Sequence, residues 1–267
     1  MPTFLSVTTR PESKEFITHN TYAECLSSLM QNTELIYSKV VSKGSPSDIK
    51  TKLNLIKLTR KSLQDEYTMV QLDKEYSYAC TSWLPIKTYY LLFNTLLTLH
   101  YVLVLQKESF NLKHSRCMSI FTKLLEDGHI EFSNSILNQV FDKDIFIFKT
   151  KRGTNLKSNE GYNIIFKLAI KKVALYKHLK WKNDQKVDLR TKKGKQLNKN
   201  YLNNFKISIF EFPYYMRIRA NYKDMAFIED VNTTNTRKYF ESYYNFSLSF
   251  HKAIFELIMD LKKQREK

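Results

Sequence analysis

TYYLLFNTLLTLHYVLVLQ, residues 88–106, carries no charged side chain over nineteen positions. It barely reaches the length that a bilayer demands. Thr88, Asn94, Thr95, Thr98 and His100 are also poor company for lipid tails. A helix apolar on most sides that stays out of lipid belongs at the centre of a bundle. Pro85, just upstream, kinks or restarts the chain before it. The stretch therefore predicts an all-α fold built around one buried helix, and no membrane span.

The rest of the chain supports that reading. It has 267 residues, enough to bury a real core without disulfide or metal staples. Five Gly and five Pro are too few for a turn-rich β-sandwich, and 14% aromatics are too many for disorder. Upstream, Thr21 and Glu24 suggest a capping box before a helix that carries Tyr22, Leu26, Leu29, Ile36 and Val40 and ends by Gly44. Ser45 and Pro46 then open a second helix with Ile49, Leu53, Ile56 and Leu63. Downstream, Met118, Phe121, Leu124 and Leu125 fit a helix stopped by Asp127-Gly128. Ser133 suggests a cap for another. A helix spans Gly161 to Trp181, and residues 183–200 read as an exposed loop. FKISIFEF (205–212) fits a strand or a short buried helix. Pro213 opens a helix through about Ile228, and a final one covers about 236–264.

The formal charge is +17, and it is unevenly placed. Lys149 to Lys206 hold 17 basic residues against Glu160, Asp184 and Asp188, a net +14, while the other 209 residues carry +3. Codon bias would raise lysine everywhere, so the concentration points to contact with a polyanion, RNA or DNA; a solvated insert and an acidic protein partner are the competing readings. Trp181, Tyr176, Tyr201 and Phe205 interleave aromatic planes with these cations, as stacking on exposed bases requires. The candidate nucleic-acid contacts are Lys167, Lys171, Lys182, Arg190, Lys192, Lys193, Lys195 and Arg219.

Common catalytic signatures are missing. There is no P-loop, no Rossmann glycine fingerprint, no nucleophile elbow and no HExxH. Cys25, Cys80 and Cys117 are far apart and form no CxxC pair, which predicts free buried thiols in a reducing compartment. The six histidines are dispersed and read as structural or surface residues. No metal or other cofactor is expected. The N-terminus has no apolar stretch of signal-peptide length, so a cytoplasmic location is expected.

The densest polar cluster is YYMRIRANYKDMAFIED, residues 214–230. On a helix Arg217, Asn221 and Asp224 lie within about 60° of one another. A guanidinium beside an amide suits a phosphate, and Asp224 can orient the arginine. An Asp–Arg pair that only fixes a helix face is the competing reading.

TYYLLFNTLL (88–97), KHSRCMSIFTKLLEDG (113–128) and RIRANY (217–222) together resemble the HEPN superfamily of small α-helical domains. The first resembles its tyrosine-pair helix, the second its histidine-opened helix, and the third a variant of its last motif with Asn221 in place of aspartate. The resemblance implies a bundle of four to five helices formed by 88–142 and 213–267. Residues 1–87 would supply extra helices packed on it, and 143–212 a basic insertion. It also implies a homodimer, a toxin–antitoxin or anti-phage defence setting with an operon partner, and metal-independent RNA cleavage. In that chemistry an arginine holds phosphate and a histidine four to six residues on moves the proton. No arginine here is followed by a histidine at that spacing. The expectation is therefore a HEPN-like nucleic-acid-binding protein directed at RNA. The alternatives are a divergent ribonuclease, with Arg217 on phosphate, Asn221 orienting it and Tyr222 lining the site, and a non-catalytic partner-binding subunit.

Overall fold

The computed structural model describes residues 14–31, 33–37, 49–73, 75–76, 80, 83–103, 113–149, 159–222 and 233–265. These form eight α-helices: α1 (Lys14–Met30), α2 (Ile49–Leu72), α3 (Leu84–Leu103), α4 (His114–Glu126), α5 (Asn159–Asp184), α6 (Lys192–Asn203), α7 (Glu211–Tyr222) and α8 (Thr233–Arg265). Two small antiparallel ladders join them. β1 (Leu35–Tyr37) pairs with β2 (Ile130–Phe132), and β3 (Val140–Phe141) with β4 (Ile207–Ser208). The fold is all-α.

The uncharged stretch forms the hub. α3 packs against α2, α4, α7 and α8, and only Lys87, Tyr90 and Asn94 keep appreciable exposure along it. Its threonines are satisfied within the helix. Thr95 and Thr98 donate to the carbonyls of Leu91 and Asn94 at 2.7 and 2.8 Å, and Thr88 donates to that of Leu84. A hydroxyl that bonds its own preceding turn can be buried without a partner elsewhere. Pro85 occupies the first turn of α3, where its missing N–H costs nothing. Among the described residues no helix is long and apolar enough to cross a membrane.

One contiguous core joins α3 to α1, α4, α5, α7 and α8, with Tyr22, Phe121, Phe166, Phe210, Phe212 and Phe250 all essentially solvent-free. The segment 143–212, set apart by its charge, contributes Phe166, Ile170, Val173 and Ile207 to this core. Its basic surface is therefore rooted on the same body as the hub. A second, smaller core lies between α2, α3 and α8 around Ile56, Leu63, Leu91 and Tyr239.

Several boundaries differ from the sequence reading. α1 already runs from Lys14, so Thr21 lies inside the helix and not at its start. It ends at Met30, with Ile36 in β1 rather than on the helix. Thr33, which interrupts the apolar stripe, closes the end: its hydroxyl bonds the Leu29 carbonyl. Gly44, Ser45 and Pro46 lie outside the described residues. The turn after β2 is a single 3-10 turn (Ser135–Asn138) capped by Asn134, not a helix capped by Ser133. Residues 205–212 resolve into the short strand β4 and the start of α7, which begins at Glu211, two residues before Pro213. α8 starts at Thr233 and runs to Arg265.

The largest difference is α6. Residues 192–200 lie in the stretch read as a loop, yet they belong to a helix that runs to Asn203. Thr191 caps it, its Oγ1 accepting from the Gly194 N–H at 3.0 Å. Lys, Gln and Leu have high helix propensity. The face turned inward is carried by Gly194, Asn198, Tyr201 and Leu202, so the usual aliphatic stripe is missing.

Candidate phosphate site

α3, α4 and α7 meet at five side chains: Tyr89 and Tyr90 from α3, His114 from the first position of α4, and Tyr214 and Arg217 from α7. α7 packs directly on α3, which turns Arg217 toward the tyrosine pair. Its guanidinium carbon lies 5.6 Å from the Tyr89 ring centroid and 5.2 Å from that of Tyr90. Its Nη2 donates to the Tyr90 hydroxyl at 3.2 Å. Nε is buried and has no hydrogen-bond partner among the described residues. Two aromatic faces and one phenol hold the cation without neutralising it.

His114 shares the same rings. It lies 4.1 Å from Phe93, 5.5 Å from Tyr89, 6.0 Å from Tyr90 and 6.0 Å from Tyr214, measured between ring centroids. Its Nδ1 is 2.8 Å from the Tyr89 hydroxyl. Burial, and then the positive charge of Arg217, hold its pKa below the usual imidazole value. Its place at a helix N-terminus acts in the same direction. The ring is therefore neutral at pH 7. Burial pushes the Tyr89 phenol far up, so it stays protonated. That phenol has no other hydrogen-bond partner among the described residues. The arrangement that satisfies both groups has Tyr89 donating to Nδ1, which puts the imidazole proton on Nε2.

Tyr214 borders the other side of His114. Burial raises its pKa, while the nearby cations Lys180 and Arg217 pull it back. Lys180, on α5, is exposed. The site thus gathers a guanidinium, an imidazole, three phenols and an outer ammonium, an arrangement that attracts an anion.

The sequence-based candidates are placed unequally. Arg217 is at the centre of the site. Asp224 lies outside the described residues, as do the side chains of Arg219, Asn221 and Tyr222, although the backbones of those three continue α7. Lys167 lies 5.5 Å from the Phe148 ring centroid, and Lys171 donates to the Phe148 carbonyl at 2.8 Å. Both therefore tie α5 to the 143–149 segment, which leaves them less free for phosphate than their helical face suggested. Lys182 is half-buried, whereas Arg190, Lys192, Lys193 and Lys195 are exposed around the start of α6.

His114 is the residue that the sequence reading passed over as structural or surface. Its signal was present in KHSRC, the opening of the 113–128 segment, but no local spacing ties position 114 to position 217. All three cysteines are buried and free, and burial pushes the Cys25 and Cys117 thiols up to about 12. Among the described residues no group of three or more His, Cys, Asp or Glu converges. No protein-family model, curated protein or solved structure matches this chain.

Proposed function

We propose that this chain is a HEPN-like nucleic-acid-binding protein, directed at RNA, that holds a backbone phosphate between Arg217 and His114. The observation that carries the reading is Arg217. It is a charged guanidinium packed on two tyrosine faces, with a buried Nε that has no partner among the described residues. A buried cation gains most from a counter-charge, and the guanidinium fork matches phosphate oxygens. His114, with its proton on Nε2, adds a neutral donor beside it. The basic surface of α5 and α6 supplies the sequence-independent attraction. The toxin–antitoxin or defence setting, the homodimer and the operon partner rest on the resemblance of 88–97, 113–128 and 217–222 to the HEPN superfamily.

Metal-independent cleavage of RNA is the second reading, and the nearness of His114 to Arg217 is the observation that favours it. A histidine that accepts the 2′-hydroxyl proton needs an unprotonated nitrogen facing the substrate. Tyr89 occupies Nδ1 and leaves Nε2 carrying the proton, which suits binding better than proton abstraction.

The test uses fluorescently labelled single-stranded RNA with EDTA present. Anisotropy at 50 and 200 mM salt should give salt-dependent binding, weakened at least tenfold by Arg217→Ala and less by Arg217→Lys. Gel analysis of the same mixtures reads cleavage. Intact RNA supports the binder. Cutting lost in both Arg217→Ala and His114→Ala makes the chain a nuclease. No retention at 50 mM salt refutes both readings.

A further inference from the structure

The last turns of α5 carry two rows of side chains. One row faces α7. Lys177 Nζ lies 2.5 Å from Glu211 Oε2, and Lys180 is close enough to Tyr214 for its charge to oppose the burial that raises that phenol's pKa. The other row faces α6. Trp181 stacks on Tyr201 with centroids 4.3 Å apart and planes 21° apart. His178 lies against the same tyrosine at 5.4 Å and 24°, and is fixed by a 2.6 Å contact between its Nε2 and Asn198 Oδ1. Phe205 packs beyond Tyr201 at 5.7 Å, its ring tilted by 48°. The stack is buried at Phe205 and reaches solvent at Trp181, which keeps part of its surface accessible.

An aromatic stack that served packing alone would need no particular charge around its open end. Here residues 180–203 hold eight Lys and Arg against two acids, Asp184 and Asp188. One carboxylate oxygen of Asp188 is already engaged by the Arg190 backbone N–H at 2.9 Å. Lys180 and Lys182 flank Trp181 directly in the chain. The partner that suits a partly exposed indole in a segment where cations so outnumber acids is an anionic chain with exposed π faces. A nucleic-acid duplex offers the charge but hides its base faces inside the stack, whereas a single strand offers both. An acidic protein segment would match the charge and leave the indole without a planar partner.

We propose that Trp181, backed by Tyr201 and His178, is a stacking platform for an unpaired base, so that the strand held by this protein is single. The proposal rests on the nucleic-acid reading above and adds a second site to it. Trp181 and Lys180 are neighbours on α5, and Lys180 borders Tyr214. A base on the indole therefore continues through a phosphate on Lys180 toward the Arg217 pocket. The platform reads no particular base, because every base has a π face. It selects for strandedness instead.

The chain has two tryptophans, Trp83 and Trp181. Trp83 is exposed at the start of α3, away from this stack, so Trp83→Phe leaves Trp181 as the sole indole reporter. That variant is titrated with 12-nucleotide oligo(rA), oligo(rU) and oligo(dT), and separately with a 12-base-pair duplex, at 50 mM salt. The single strands should quench indole emission saturably and the duplex should leave it unchanged. Trp181→Ala should weaken single-strand binding roughly tenfold, and duplex binding less than twofold, while Trp181→Phe keeps most of the affinity. Should Trp181→Ala fail to fold by circular dichroism, the quenching and the Trp181→Phe variant decide. Single strands that bind by anisotropy while indole emission stays unchanged overturn the platform and leave the nucleic-acid reading standing. Equal quenching by the duplex also overturns it. Failure of every oligonucleotide to bind overturns both.

Discussion

The Tyr89 hydroxyl and Nδ1 of His114 lie 2.8 Å apart, across the junction of the buried hub helix α3 and the first residue of α4. A buried, protonated phenol on Nδ1 fixes the imidazole as the Nε2–H tautomer. Removing the hydroxyl with Tyr89→Phe leaves Nδ1 without its donor. Nitrogen-15 NMR of histidine-labelled protein should show His114 as Nε2–H in the parent and as a mixture of tautomers in the variant. RNA binding should weaken severalfold, with a stability loss of about 1 kcal/mol. An unchanged His114 spectrum in Tyr89→Phe would remove the basis for assigning Nε2–H as a phosphate donor.

Lys177 and Glu211 form the ion pair that locks the basic helix α5 onto α7. The Glu211 side chain is almost fully buried, its Oε1 has no hydrogen-bond partner among the described residues, and Lys177 supplies its counter-charge. Lys177→Met strands a carboxylate in the core and should cost about 3–5 kcal/mol in urea unfolding. The double change to Met at 177 and 211 should recover most of that loss, because neither charge is then left alone. A single variant as stable as the parent would show that Glu211 relaxes to water.

The features legible in the sequence were those fixed by local chemistry. The uncharged 88–106 stretch reads as a buried helix because no other solution hides an apolar circumference. Asp127-Gly128 reads as a stop because glycine tolerates the left-handed backbone found there, φ +65° at Gly128. Arg217 was legible as a candidate because its residue type and neighbours suit phosphate. The rest of the site was not, because Tyr89, His114 and Arg217 come from three different helices and only packing brings them together. Thr21 misled because a capping pattern also occurs inside helices, where tertiary burial of Tyr22 and Leu26 outweighs it. α6 was missed because a short helix packed through Gly194, Asn198 and Tyr201 has no aliphatic period to read.

His251 gives stability an acid dependence. It is buried on α8 with Nδ1 3.1 Å from Thr95 Oγ1, and burial, aided by the positive charge of Arg60, lowers its pKa to about 4. In the unfolded chain the value returns to about 6.5. The folded state therefore binds fewer protons between these values. Its contribution is fully present above pH 6.5 and is lost as the pH falls toward 4, by on the order of 3 kcal/mol. His251→Gln has no such titration. The stability difference between parent and variant should be flat above pH 7 and shift against the parent between pH 6.5 and 4. A difference that stays constant across that window would show that His251 is charged, or solvated, in the fold.

Gly194 offers a test in which the usual rule for helices changes sign. Replacing a helix glycine with alanine ordinarily stabilises by about 1 kcal/mol, because alanine loses less backbone entropy. At Gly194 the added Cβ would lie 1.8 Å from the Asp188 carbonyl oxygen and 2.6 Å from its carbon, both backbone atoms. The 188–191 turn that delivers Thr191 to its capping position therefore has to move. The Thr191 Oγ1 bond to the Gly194 N–H would be lost with it, and that cap alone is worth about 1 kcal/mol. Gly194→Ala should destabilise by about 1–3 kcal/mol, as overpacking does elsewhere. Thr191→Ala should cost about 1 kcal/mol by itself, and little more once Gly194→Ala is present, because both act on one turn. Because α6 carries Tyr201, the same variant should also loosen the support under Trp181 and red-shift its emission in the Trp83→Phe background. A Gly194→Ala protein that melts higher than the parent would mean that residues 188–194 do not take the tight turn described here, and that 183–200 is closer to the loop its composition suggests.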